Sequence, residues 1–456
     1  MDGVREARGI ILRGRQHAIS LRLSPPQLLV LGFAGVILAG TLLLLAPFAA
    51  AGERADFLTA LFTATSAVCV TGLVVVDTGT FWSGWGHAII LLLIQTGGLG
   101  VMTMGTLFAI LLGKRIGFRE RLVIRESLNN INVAGVVRLV RSILLYTAAV
   151  EGFFALVLGL RWAADFGWER GMWLGLFHAV SAFNNAGFDL MGDFRSLTRY
   201  VDDPVVTLGV GLAIVLGGLG FAVAVDILRQ RRWRKFSLHT KFVLVLTFLL
   251  IGCGMAVFLA LEHNNTLAGL GPGGKLLASF FQAVTPRTAG YNTVDIGRLT
   301  AATQFLLVLL MFIGASPGST GGGIKTTTFG ALGLAVLSMA RGKEDAELFG
   351  RRIPKEQIYR ALGVFLMSVT VVVLAVMALL VSQEKDFLSL VFEAVSAFGT
   401  VGLSTGITPD LTPFGKVVLI VTMFVGRVGP LTVAFALALR PQPGAVRYPE
   451  EKLIIG

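Results

Sequence analysis

A chain of 456 residues in which 54% are hydrophobic and only 14% charged, with a mean hydropathy of +0.77, has more apolar surface than a water-soluble fold can hide. The net charge of +12 would suggest nucleic-acid binding in a soluble protein, but here it reads as the basic joints of a polytopic membrane protein. Cys69 and Cys253 lie far apart in apolar stretches, which excludes a disulfide framework and a cysteine-based metal site.

Five arginines, Arg5, Arg8, Arg13, Arg15 and Arg22, precede the first apolar stretch, residues 28–48. No small-residue cleavage site follows a short apolar core, so a retained first helix is expected, not a signal peptide. Residues 88–112, 205–225, 242–261, 304–313, 362–381 and 417–425 approach or join into further spans of the ~20 residues that a bilayer requires.

Between these spans one short pattern recurs four times: an aromatic, an alanine, a Ser or Thr, then a turn closing on glycine. The first copy runs through Phe62, Ala64 and Ser66 to Val70, Thr71 and Gly72. The second runs through Phe177, Ala179 and Ser181 to Asn185, Ala186 and Gly187. The third, one residue shorter, holds Phe281, Ala283, Thr285, Thr288, Ala289 and Gly290, and the fourth Phe392, Ala394, Ser396, Thr400, Val401 and Gly402. The glycines stand 115, 103 and 112 residues apart, too far for a solenoid and suitable for tandem membrane units. Each unit reads as an apolar helix (M1), a short amphipathic segment with its turn, and a second apolar helix (M2) bearing a glycine cluster. The expected organisation is a tail at 1–26, repeats at 27–125, 126–235, 236–345 and 346–440, and a second tail at 441–456.

With the tails and joints on one side and the turns on the other, 27 of the 39 Lys and Arg fall on the joint side and 10 on the turn side. The positive-inside rule then makes both termini cytoplasmic and all four turns external. Asp77, Asp165, Asp189, Asp193, Asp202, Asp203 and Asp295 lean to the turn side, where an acidic vestibule would concentrate cations.

A segment that enters a membrane and turns back must line water or an ion, because its unpaired backbone groups cannot face lipid. Four such segments predict a pseudo-fourfold ring around a pore. Glycine at each turn permits positive φ, so that carbonyl oxygens can point inward and replace the water of a potassium ion. The carbonyls of Val70, Thr71, Gly72, Asn185, Ala186, Gly187, Thr288, Ala289, Gly290, Thr400, Val401 and Gly402 are the expected ligands.

These features resemble the Ktr/Trk/HKT superfamily of potassium transporters over nearly the whole chain. The string from Thr285 to Tyr291, the glycine-rich break in the third M2 and Arg427 in the fourth carry the resemblance, together with the filter glycines. Eight long helices without an extra N-terminal pair, and the ending at 448–456, are more similar to the Ktr membrane subunit than to the longer Trk type. The resemblance implies an all-α pore protein taking up potassium across a prokaryotic plasma membrane. Glycine at all four filter positions goes with potassium preference, and sodium is implied as a coupling or activating ion. A homodimer is implied as well, held by a cytosolic RCK-type ring that binds ATP, ADP or NAD. The short joints leave no room in this chain for a nucleotide-binding domain of its own.

Within the resembling family the break in the third M2 is an intramembrane gate, here Ser316, Pro317, Gly318, Ser319, Thr320, Gly321, Gly322, Gly323 and Lys325; Arg427 would be an electrostatic barrier below the filter. An ion pair between Arg427 and Glu151 is the alternative. The stretch from Gly318 to Thr326 nearly spells a phosphate-binding loop, but Ile324 intrudes before the lysine and no strand precedes it. A secondary transporter would show two inverted halves, and an enzyme would need a nucleophile, acid and base set or a His/Asp/Cys cluster at membrane depth. Neither pattern is found, and no enzymatic activity is expected.

Overall fold

The computed structural model describes residues 24–100 and 136–437. The predicted tails at 1–26 and 441–456 lie almost wholly outside these residues, as do the end of repeat 1 and the start of repeat 2.

Each repeat opens with a long apolar helix: α1 (Pro25–Leu44) in the first, and α4 (Val136–Phe166), α8 (Leu238–Glu262) and α12 (Lys355–Ser382) in the others. At 1.5 Å per residue the 20 residues of α1 rise about 30 Å, the thickness of a hydrocarbon core. Leu42, Phe248, Leu374 and Val381 protrude from these helices into the surroundings, which suits lipid and not water.

The second element of each repeat is too short to cross: α2 (Phe57–Cys69), α5 (Trp168–Phe183), α9 (Pro272–Val284) and α13 (Phe387–Gly399). Thirteen residues in α2 rise only about 20 Å. Asp56 and Asp386 cap α2 and α13 by accepting from the backbone N–H groups two and three residues on. The repeated phenylalanines Phe62, Phe177, Phe281 and Phe392 are fully buried, as are the alanines two positions later. The sequence repeat is therefore a packing repeat, seating four pore helices in one core.

The M2 elements are not single straight helices. In repeat 1, α3 (Gly84–Leu99) ends at Gly100, whose φ is +86°. In repeat 2, α6 (Pro204–Gly218) and α7 (Phe221–Gln230) meet at 96° beside Gly220, φ +97°. In repeat 3, α10 (Ala301–Phe312) and α11 (Thr326–Ala340) are separated by the loop 313–325. In repeat 4, α14 (Pro413–Val428) and α15 (Pro430–Leu437) meet at 95° beside Gly429, φ +93°. The expectation of eight long helices thus holds for the four M1 elements and is corrected for the M2 elements: a glycine at positive φ stands at the helix end in repeat 1 and at the bend in repeats 2 and 4, and in repeat 3 the helix stops at Phe312 before the loop 313–325.

The clusters also allow close approach. A Cβ on Gly97 would lie 2.0 Å from the Val68 oxygen, one on Gly217 1.8 Å from the Phe183 oxygen, and one on Gly426 2.0 Å from the Phe398 oxygen. Each of these oxygens belongs to the short second helix of the same repeat, four residues before the glycine of its turn. Close packing and breaking therefore coexist in one cluster. A two-residue hairpin, β1 (Glu347–Leu348) with β2 (Arg351–Arg352), lies in the joint between repeats 3 and 4.

Candidate functional site

The four turns converge. A Cβ placed on Gly72 would lie 2.5 Å from the Ala186 oxygen and 3.0 Å from Gly187 Cα; one on Gly187 would lie 2.5 Å from the Ala289 oxygen and 3.1 Å from Gly290 Cα. Gly290 meets Val401 O and Gly402 Cα in the same way, at 2.4 and 3.1 Å, and Gly402 meets Thr71 O and Gly72 Cα at 2.2 and 3.0 Å. The contacts run from repeat 1 to 2, 2 to 3, 3 to 4 and 4 to 1, so the glycines close a ring. Absence of a side chain is required at each, since the next repeat's carbonyl occupies that space.

The local backbone explains how the turns are held. In repeats 1, 2 and 4 the pore helix ends in a pair of reverse bonds: Val70 N–H donates to Ala67 O and Thr71 N–H to Ser66 O, at 3.1 and 2.8 Å. Asn185 and Ala186 repeat this with Ala182 and Ser181, as do Thr400 and Val401 with Ala397 and Ser396. The position that usually holds glycine in such a cap is filled by Val70, Asn185 and Thr400, at φ +58°, +59° and +51°. Thr288 takes φ +73° in the shorter third turn. Left-handed backbone at β-branched residues costs on the order of 1–3 kcal/mol each and persists only where the surroundings over-determine it. No residue pattern announces this strain, because its cause is the cap and the neighbouring turn.

The Ser or Thr of the repeated pattern ties down the next stretch. Ser66 and Ser396 accept from Gly72 N–H and Gly402 N–H at 3.0 and 3.1 Å, whereas Ser181 and Thr285 donate to Phe188 O and Tyr291 O at 2.9 and 2.5 Å.

On the turn side the four glycines line a cavity of 280 Å³, together with Asp77, Asp189 and Asp295. Three of the seven predicted acidic residues thus reach it. Asp203 instead caps α6 and pairs with Arg161, and Asp165 also pairs with Arg161. Burial pushes the Asp189 carboxyl up to about 7, and the charge of Asp77 adds to the rise.

The loop 313–325 lies directly beneath the turns on the other side. Thr320 donates to Phe183 O at 3.1 Å and to Asn185 Oδ1 at 3.2 Å, while Asn185 Nδ2 donates to Thr288 Oγ1 at 3.1 Å. Gly321 and Gly322 pass so close that a Cβ would fall 2.1 Å from Thr288 Oγ1 and 2.3 Å from Thr400 Oγ1. Backbone bonds anchor the loop from Ser316 N–H to Gly218 O and from Phe221 N–H to Gly318 O, and Ser319 donates to Ser316 O. Lys325 Nζ donates to Gly321 O at 2.7 Å. Pro317, Gly318, Ser319, Gly321, Gly323, Lys325 and Arg427 line a second cavity, of 640 Å³, that contains none of the ring glycines.

Arg427 reaches the loop from α14. Its guanidinium donates to the carbonyls of Thr320, Gly97 and Gly98. It forms no ion pair with Glu151, whose carboxylate accepts from Gln95 at 3.2 Å and from Asn184 at 2.9 Å. That alternative is corrected: the acid serves the end of pore helix α5, and the arginine is satisfied by backbone oxygens. Sequence reasoning did not find the Gln95, Glu151 and Asn184 cluster; a carboxylate inside an apolar span was the available signal.

Among the described residues no group of His, Cys, Asp and Glu stands ready to hold a metal ion. The sequence pattern of the TrkH family, described as cation transport protein, matches residues 29–448. This chain belongs to the TrkH family of cation transport proteins. It is 44% identical over 438 residues to the Ktr system potassium uptake protein B of Bacillus subtilis, covering 96% of this chain and 98% of that protein. It is 43% identical over 443 residues to the potassium/sodium uptake protein NtpJ of Enterococcus hirae, covering 95% and 98%. The crystal structure of the potassium transporter TrkH from Vibrio parahaemolyticus superimposes with a TM-score of 0.74 at 19% identity, covering 95% of this chain and 90% of that one. The TrkH fold places the four repeats in one multi-pass membrane protein.

Proposed function

We propose that this chain takes up potassium across a prokaryotic plasma membrane, the ion passing through the glycine ring. The closed ring of four turns supports this reading best. Its carbonyls, at the C-terminal ends of four short helices, favour a cation by their dipoles. The ion would move inward under the membrane potential, worth ~2.3 kcal/mol per charge per 100 mV. The basic joints support a reading with the termini in the cytoplasm and the 280 Å³ cavity outside.

In this reading Val70, Thr71, Gly72 and their counterparts bind potassium; the loop from Ser316 to Gly323, with Lys325 and Arg427, gates the path. The name of the Enterococcus relative supports sodium as a second or activating ion. The word "system" in the names of the Ktr relatives supports a separate regulatory component, for which a cytosolic RCK-type ring binding ATP, ADP or NAD against a homodimer is our reading. Expression in a potassium-uptake-deficient bacterium tests the whole. The parent chain restores growth at low potassium, and Gly72→Ser, whose side chain would press on Ala186 O, changes the ratio of sodium to potassium uptake. An unaltered ratio in a normally expressed variant would overturn the filter assignment.

A further inference from the structure

Directly after its repeated phenylalanine each pore helix carries a polar residue, Thr63, His178, Gln282 or Glu393, and all four are buried. Three of them hold the stretch beyond the filter glycine of their own repeat. His178 Nε2 accepts from Leu190 N–H at 3.4 Å, and Gln282 Nε2 donates to Thr293 Oγ1 at 3.5 Å. Glu393 accepts from Thr405 N–H at 3.3 Å, from the Ser404 hydroxyl, and from Thr408 Oγ1 at 2.8 Å. Leu190, Thr293 and Thr405 each stand three residues past their glycine. Among the described residues the Thr63 hydroxyl has no hydrogen-bond partner, and the first repeat shows no such tie.

The fourth repeat differs from the rest in carrying an acid. Both carboxylate oxygens of Glu393 are met by hydroxyl and amide donors, and among the described residues no Lys, Arg or His pairs with it. A buried carboxylate without a cation is costly, and three donors offset only part of that cost. Ser404, Thr405 and Thr408, the partners of the acid, all line the turn-side cavity with Gly402. The acid therefore stands behind the cavity wall, within one side chain of where a cation would enter.

We propose that Glu393 is a positioning residue that sets cation specificity: it fixes the wall formed by Ser404, Thr405 and Thr408 beside Gly402 and places an acid behind it. The proposal rests on the reading of the glycine ring as the ion path. It gives the fourth quarter of the ring a role that Thr63, His178 and Gln282 do not share.

The test is uptake of potassium, rubidium and sodium by whole cells of the potassium-uptake-deficient bacterium, with the amount of protein in the membrane measured alongside. E393Q installs the residue of repeat 3 at nearly the same volume, and T408V removes one donor while keeping the carboxylate. For E393Q the expected result is a KM for potassium raised about threefold or more, an altered rubidium-to-potassium ratio, and a maximal rate per molecule changed by less than about twofold. T408V shifts the ratio in the same direction and by less; should E393Q fail to reach the membrane, T408V together with S404A decides. KM values for all three ions within about twofold of the parent, in variants present at parental amounts, would overturn the proposal, as would a loss confined to the maximal rate. If Gly72→Ser alters selectivity and the Glu393 and Thr408 variants do not, this inference alone fails; if none of them does, the ring reading fails with it.

Discussion

The Thr400 hydroxyl oxygen, in the turn of repeat 4, accepts a hydrogen bond from Gly322 N–H of the loop 313–325 at 3.1 Å. Across the ring, in repeat 2, Asn185 Oδ1 accepts from Thr320 Oγ1. A loop that belongs to repeat 3 is thus slung between the two turns on either side of its own, tied to each by a hydrogen bond.

Thr400→Val keeps the branched shape of the residue and removes the acceptor. Stranding a buried N–H costs about 1–3 kcal/mol, which biases the loop away from its seat. Basal rubidium flux into liposomes, measured on purified chain without any partner, is expected to rise several-fold, since about 1.4 kcal/mol is a factor of ten in an equilibrium. Unchanged flux would mean that the contact does not hold the loop in place.

Arg427 grips Thr320 O of the loop and Gly97 O of the first M2 at once. Arg427→Gln removes the charge from the wall of the 640 Å³ cavity and weakens both contacts. Potassium flux per molecule is expected to increase, read by the same liposome assay. A decrease in a well-folded variant would make the arginine a structural brace instead of a barrier.

Gly217→Ala and Gly252→Ala separate packing from lipid-facing positions. A methyl on Gly217 meets the Phe183 oxygen at 1.8 Å, whereas nothing lies within 4 Å of a methyl on Gly252. The first is expected to lose about 1–3 kcal/mol or to fail to accumulate, because the obstacle is backbone. The second is expected to be neutral or to gain up to about 1 kcal/mol of helix propensity. Thermal denaturation of the detergent-solubilised chain, followed by size-exclusion profile, compares them.

Asp189 lines the turn-side cavity, and its carboxyl is pushed up to about 7 by burial and by Asp77. The group is neutral below that value and anionic above it, so cation attraction grows as pH rises through 7. Uptake at subsaturating potassium is expected to be faster at pH 8 than at pH 6, and Asp189→Asn flattens the profile. Because the raised value favours the protonated form in the fold, this residue's contribution to stability falls as pH rises from about 3.9 toward 7.

Much of the site was legible in the sequence because it is written four times. Phe62, Ala64, Ser66 and Gly72 keep their spacing in two further copies, with one residue lost before the glycine in the third repeat, and that spacing encodes burial, a hydroxyl tie and a turn without a side chain. The ring order was not legible, since it arises from contacts between residues a hundred or more positions apart, and neither was the left-handed backbone at Val70 and Thr400, where a cap that usually takes glycine holds a β-branched residue instead. The glycines of α6 and α14 announced close packing or a break without saying which, and the structure uses neighbouring glycines for each. The partners of Arg427 were hidden for another reason: they are carbonyls, which every residue has and no sequence distinguishes.

The loop 313–325 belongs to the third repeat, yet its hydrogen bonds reach repeats 2 and 4 directly, and through Arg427 it is linked to Gly97 of repeat 1. In an assembly of four identical subunits every quarter would carry the same segment; fusing the quarters into one polypeptide lets residues 313–325 differ from their counterparts and meet a single arginine, Arg427. Under the proposed reading of that loop as a gate, one segment and not four would have to move.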